Sequence, residues 1–205
     1  MKRVALFALM ILAAATANAR AVKVIQPLPE TVAGADHVTK VEVTVSDSAR
    51  KNFDALEQKA AEKRTAAKLP PADKPDLPRP KADEYATLPF ARMLPLVIED
   101  ATTDWGLKDG RALKLTVQVD TLRTLDAGMA LLLGSTDQLA GLISVEDAAS
   151  GEKLGEFYVD VLNARAGLLG MAMRGSGVRE KLAEEFAKHV CEVLSGRKSK
   201  TAKKG

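Results

Sequence analysis

Cysteine and histidine are almost absent from this chain, which holds one cysteine, Cys191, and two histidines, His37 and His189. A single thiol can close no intramolecular disulfide and build no cysteine-based metal site. The two histidines fall at the entrance of an expected strand and on the outer side of an expected helix, so neither marks a metal or acid–base site. Aromatic residues make up 4% of the sequence, so aliphatic side chains must supply most of the core. Also missing are a G-x-S-x-G elbow, a phosphate-binding Walker loop, a dinucleotide fingerprint and an H-E-x-x-H helix. No catalytic residue, metal or cofactor is therefore assigned. Beyond the first fifteen residues, no apolar run approaches the about 20 residues needed to span a bilayer.

The chain lacks a broad excess of positive charge as well. Its formal charge is +3, but Lys2 and Arg3 carry two of those charges and the stretch from Gly196 carries five basic residues. Without both ends the body stands at −4. Such a body offers no face for a phosphate backbone, and nucleic-acid binding is not expected. Residues 196–205 read as a basic, disordered tail.

What is present begins with an export signal. Lys2 and Arg3 precede an uncharged apolar run from Val4 to Ala15, and Ala17-Asn18-Ala19 offers small residues at the −3 and −1 positions. A run of this length suits a secretory h-region of roughly 7–15 residues. Residues 1–19 are expected to be a signal peptide cleaved near Ala19, which sends the protein to the periplasm. The segment has no cysteine to carry a lipid, so the mature protein is expected to be neither a lipoprotein nor transmembrane.

Residues 20–37 read as an extended leader because Pro27 and Pro29 interrupt them. From Val38 the chain alternates, with Val41, Val43 and Val45 on one side and Lys40, Glu42 and Thr44 on the other, the signature of a half-buried strand. Asp47 or Ser48 can then cap a helix carrying Ala49, Phe53, Leu56 and Ala60 at helical spacing. Five of the nine prolines lie between Pro70 and Pro80, which makes residues 68–84 an insertion without regular structure. Pro89 fits the first turn of a second helix that ends at Gly106. Three further strands follow, around Leu113–Val119, Leu139–Glu146 and Phe157–Val161, with a hairpin connection over Ala148–Gly151. A last helix carries Val178, Leu182, Phe186, Val190 and Val193 on one side, and Cys191 is expected to be buried beside them.

This order gives one α+β domain over residues 38–195. It is expected to contain a four-stranded mixed sheet, an antiparallel meander of three strands plus one crossover strand, with three helices packed on one face. Leader, "VEVTVSDSARKNF", proline-marked helix, "ALKLTVQVDTLRTL", "LAGLISVEDAASGEKLGEF", glycine-rich loop and closing helix together resemble a group of small exported bacterial envelope proteins of unknown function. That group is similar to the periplasmic domain of the curli-secretion channel subunit, the amino-terminal domain of the translocation protein TolB, and auxiliary lipoproteins of ABC transporters. The resemblance implies the α+β fold and an envelope setting. It carries over no catalytic residue.

Two apolar stretches suit neither a strand nor a helix: Met129 to Leu133 and Leu168 to Met173. Met129, Leu131, Leu132, Leu133, Leu168, Leu169, Met171 and Met173 can fill the core below the sheet or form an adaptable Met/Leu contact surface. The strand order should bring both stretches to one end of the sheet. Arg174, Ser176 and Arg179 open the last helix, where free N–H groups and arginine can hold an anion, although Ser176 can equally serve as a plain N-cap. The function expected is a non-catalytic interaction module in envelope assembly or transport, held to an envelope protein or a membrane surface. A small-molecule or lipid carrier is the second reading, and a hydrolase with an unmarked carboxylate pair the third.

Overall fold

A computed structural model of the chain describes residues 22–30, 36–70, 85, 87–107, 109–124, 137–163 and 177–197. Residues 1–21, most of the proline-rich stretch 68–84 and most of residues 196–205 lie outside the described residues. In chain order the elements are β1 (Val22–Gln26), β2 (Asp36–Val45), α1 (Asp47–Ala66), α2 (Phe90–Asp104), β3 (Arg111–Arg123), β4 (Asp137–Asp147), β5 (Lys153–Asn163) and α3 (Val178–Ser195).

The strands form one sheet in the order β1-β5-β4-β3-β2. β3, β4 and β5 are the expected antiparallel meander. β2 joins β3 in parallel after a crossover through the helices. The sheet has five strands, not the four expected, because part of the supposed leader pairs antiparallel with β5. Pro27 and Pro29 follow β1 rather than interrupt it, and a register shift between Val24 and Gln26 breaks its alternation. A short, irregular edge strand of this kind leaves little periodicity to read.

One face of the sheet carries the core. Leu113, Leu115, Val117 and Val119 of β3 are fully buried, as are Leu139, Ile143 and Val145 of β4 and Val159 of β5. The intervening residues on the other face are partly or wholly exposed, apart from Ala140. α1 lies against β2 and β3, α3 against β4 and β5, and α2 against β2 and α3. In α3 the buried stripe is Leu182, Ala183, Phe186, Ala187, Val190, Cys191 and Leu194. Cys191 is 0% exposed, and burial pushes its thiol up to about 12, so it stays protonated at neutral pH and is no nucleophile.

Three helix starts differ from expectation, that of α3 being capped at Gly177 rather than Ser176. α1 is capped at Ser46, not Asp47 or Ser48, and the Ser46 carbonyl accepts from Ala49 and Arg50. The Ser48 hydroxyl is instead drawn to β3, where it donates to the Asp120 carbonyl at 3.1 Å. Pro89 sits at the cap of α2, one position before its first turn. At the far end Gly106 takes a left-handed φ of 75°. This lets the Leu107 N–H reach back to the Thr102 carbonyl and close the helix as expected.

Candidate functional site

The register of the meander fixes where the two apolar stretches attach. Arg123 pairs with Gln138, and Gln138 with Leu162, so the end of β3, the start of β4 and the end of β5 lie side by side. The connections after β3 and after β5 therefore leave the sheet at one common end. Met129, Leu131, Leu132, Leu133, Leu168, Leu169, Met171 and Met173 lie in those connections, outside the described residues. Their attachment points carry an exposed apolar side chain, Leu162, on the face away from the helices.

Of the three residues considered for an anion, Arg174 and Ser176 also lie outside the described residues. Arg179 is described and nearly covered. Its guanidinium donates to the Tyr85 carbonyl at 3.2 Å and to Glu180 at 3.3 Å. Gly177, with φ 85°, holds the cap position of α3.

Around Arg179 the helix layer gathers polar groups that sequence reasoning missed. The Tyr85 hydroxyl donates to Asp100 at 2.6 Å. Glu57, from α1, accepts the Ala91 N–H at 3.0 Å and the Phe90 N–H as well. It thereby caps α2, whose own cap residue is a proline without a side-chain hydrogen bond. Burial raises the Glu57 carboxyl above the usual carboxylate range, while these two N–H groups and Arg179 oppose the rise. Arg64 donates to Thr87 and to the Pro70 carbonyl. The chemistry of this cluster is that of a clasp: side chains of α1 and α3 hold the segment that leads into α2. A sequence motif could not mark it, since Glu57 and Arg179 lie 122 positions apart.

The face away from the helices carries a different set. Tyr158 stands near Asp120 and Asp160, and desolvation followed by those two carboxylates pushes its hydroxyl upward. Gln118 donates to Asp120 at 3.1 Å and Gln138 to Asp160 at 2.8 Å. Nearer the opposite end, Lys40, Glu42, Lys114 and Glu146 form a chain of ion pairs at 2.7, 3.0 and 3.6 Å.

The histidines are placed in ordinary contacts. His37 lies 3.2 Å from the Gly110 carbonyl and His189 2.7 Å from Glu192, one turn on. Among the described residues no cluster of three metal-ligating side chains occurs, and no helix is long and apolar enough to cross a membrane.

The β4–β5 turn is held by one carboxylate. Asp147 accepts from the N–H groups of Ala149 and Ser150 and from the Ser150 hydroxyl, and pairs with Arg111 at 2.9 Å. These bonds, the Ser150 N–H first, hold its pKa below the ordinary value. A lowered carboxylate stabilises the fold above its unfolded pKa and loses that contribution as pH falls through the folded one. Urea midpoints measured from pH 7 downward should therefore show Asp147→Asn less stable than wild type at neutral pH. The gap should narrow in acid. A gap independent of pH would mean that the charge of Asp147 is not what holds the turn.

No family model matches the chain, and no curated protein matches it. Solved structures do overlap with it. Two are PelC dodecamers from Paraburkholderia phytofirmans, each 13% identical. One overlaps over 85% of this chain and 95% of its own with a TM-score of 0.44, the other over 86% and 99% with 0.43. A chain from Caulobacter crescentus CB15, solved as a candidate lipoprotein, is 17% identical over 49% of this chain and 80% of its own, with a TM-score of 0.31.

Proposed function

We propose that the chain is an exported, non-catalytic interaction module of the cell envelope, and that it holds its partner at the end of the sheet where β3, β4 and β5 meet the two apolar connections. The single observation that supports this reading is the register. Arg123, Gln138 and Leu162 stand in one row, so stretches rich in Leu and Met are tethered to adjacent strands. Two such stretches brought together would form an apolar surface of the kind that marks a contact site on an exported protein. Met and Leu side chains can repack against different partners. The partner is an envelope protein or a membrane surface.

Site-specific photo-crosslinkers at positions 132 and 168 test the site in intact cells. They should capture one envelope component that a crosslinker on α1, at Lys59, does not. Leu132→Ser and Leu168→Ser should each change stability by less than about 1 kcal/mol, as surface substitutions do, and should weaken that capture. If both variants instead lose several kcal/mol, as large-to-small changes in a packed core do, the stretches are core and this site is wrong. Amino-terminal sequencing of the envelope fraction should begin at Arg20.

A further inference from the structure

The two edges of the sheet are unequal. β1 is five residues long and its register shifts after Val24. Shortness and irregularity of this kind keep an edge from pairing with another sheet. β2 is ten residues long, and its one irregularity lies between Val38 and Lys40. From Lys40 to Val45 it pairs regularly with β3 on one side. Among the described residues no backbone hydrogen bond crosses its other side. Lys40 and Thr44 are exposed, while the Thr39 hydroxyl turns back to the Leu113 carbonyl of β3 at 3.1 Å.

An isolated lysine on such an edge discourages pairing. Lys40 is not isolated, since Glu42 stands two residues on, with Val41 between them. We infer that two copies of this chain pair through β2, antiparallel about a two-fold axis at Val41 and centred on Lys40–Glu42 next to the irregularity after Val38, so that the two five-stranded sheets meet edge to edge. In this register Lys40 of each copy faces Glu42 of the other, and Val41 faces Val41. Opposite-charge neighbours across an antiparallel pair are favourable. Sliding by one residue would set the helix-side residues of one copy against the solvent-side residues of the other. Sliding by two brings either Lys40 against Lys40 or Glu42 against Glu42, which like charge opposes. The two-fold axis, perpendicular to the sheet, keeps the helices of both copies on the same face. Such an isologous contact is the commonest route to a closed dimer.

Sedimentation of the purified protein over a range of concentrations tests the inference. Wild type should pass from monomer to dimer, and salt should weaken the dimer. Lys40→Glu and Glu42→Lys should each associate about tenfold more weakly or worse, because both cross-strand pairs become like-charged. An equimolar mixture of the two variants should recover the dimer as a heterodimer, and the double variant K40E/E42K should recover it alone. Thermal melts of the diluted proteins serve as the control for folding, since Glu42 also binds Lys114. Recovery in the mixture cannot come from a folding defect. A wild type that stays monomeric overturns the inference, as does failure of the mixture to associate. Dimers that respond to Lys23→Glu but not to Lys40→Glu would put the contact at β1 and overturn it equally.

Discussion

Phe90→Ala is expected to lower the stability of the fold by about 3–5 kcal/mol, the range for emptying a fully buried aromatic site. Phe90 opens α2 and is 0% exposed. Its ring meets Phe53 of α1 edge-on, with centroids 6.0 Å apart and planes at 87°, and a pair of this geometry adds about 0.5–1.5 kcal/mol to simple burial. α1 has few other anchors. Besides Phe53, it buries only Ala49, Ala60 and Arg64 over its twenty residues. Removing the Phe90 ring should therefore loosen α1 as well as leave a cavity. The backbone N–H of Phe90 would still meet Glu57, so α2 itself should persist. Denaturant unfolding of Phe53→Ala, Phe90→Ala and the double variant checks the argument. The double loss should fall short of the sum of the single losses. Strict additivity would show that the two rings are not one unit.

The residues behind that prediction were only partly legible in the sequence. Spacing from Ala49 and Ala60 places Phe53 on the inner side of α1, and strict alternation marks the buried face of β3. The burial of Cys191 followed from its place beside the stripe of α3. These are periodic signals, and a helix or strand that buries one side must carry them. β1 carries no such signal. Its five residues are mostly exposed and irregular, and only its pairing with β5, from Val22 with Val159 to Gln26 with Glu156, makes it a strand. The cap of α1 moved to Ser46 because Ser48 found a carbonyl on β3, a contact between positions 72 apart. Glu57 reads as one more charged residue on a polar helix, and its role depends on Pro89, which no local pattern connects to it. At the candidate site, chain order sufficed to start the two connections that contain the apolar stretches from one end of the sheet. Their contacts do not follow from order, because a run of Leu and Met between glycines suits a core corner and a contact surface alike.

Gly141→Ala is expected to cost about 1–3 kcal/mol, the usual range for overpacking a filled core. Gly141 sits inside β4 opposite Val119, where β3 carries a bulge between Val119 and Thr121. A Cβ at this position would stand 2.6 Å from the Gln118 carbonyl oxygen and 3.3 Å from the Val119 Cα. Both atoms belong to backbone in the middle of the sheet, so neither can rotate away, and glycine is what lets the two strands approach this closely. The displacement would not stop at the strand. The Val119 carbonyl accepts the Ser46 N–H at 3.0 Å, and the Asp120 carbonyl accepts the Ser48 hydroxyl, so the start of α1 is fastened to the same bulge. Pushing Gln118 outward should strain both bonds and speed hydrogen exchange at the Ser46 amide. Gly155→Ala provides the comparison. There the new Cβ would meet the Leu28 side chain at 2.7 Å and backbone, the Gln26 carbonyl oxygen, only at 3.2 Å. The half-buried leucine beside a short edge strand can turn aside, so a smaller loss than at Gly141 is expected. Equal losses in the two variants would mean that lost space alone, rather than an unyielding backbone, sets the cost at Gly141.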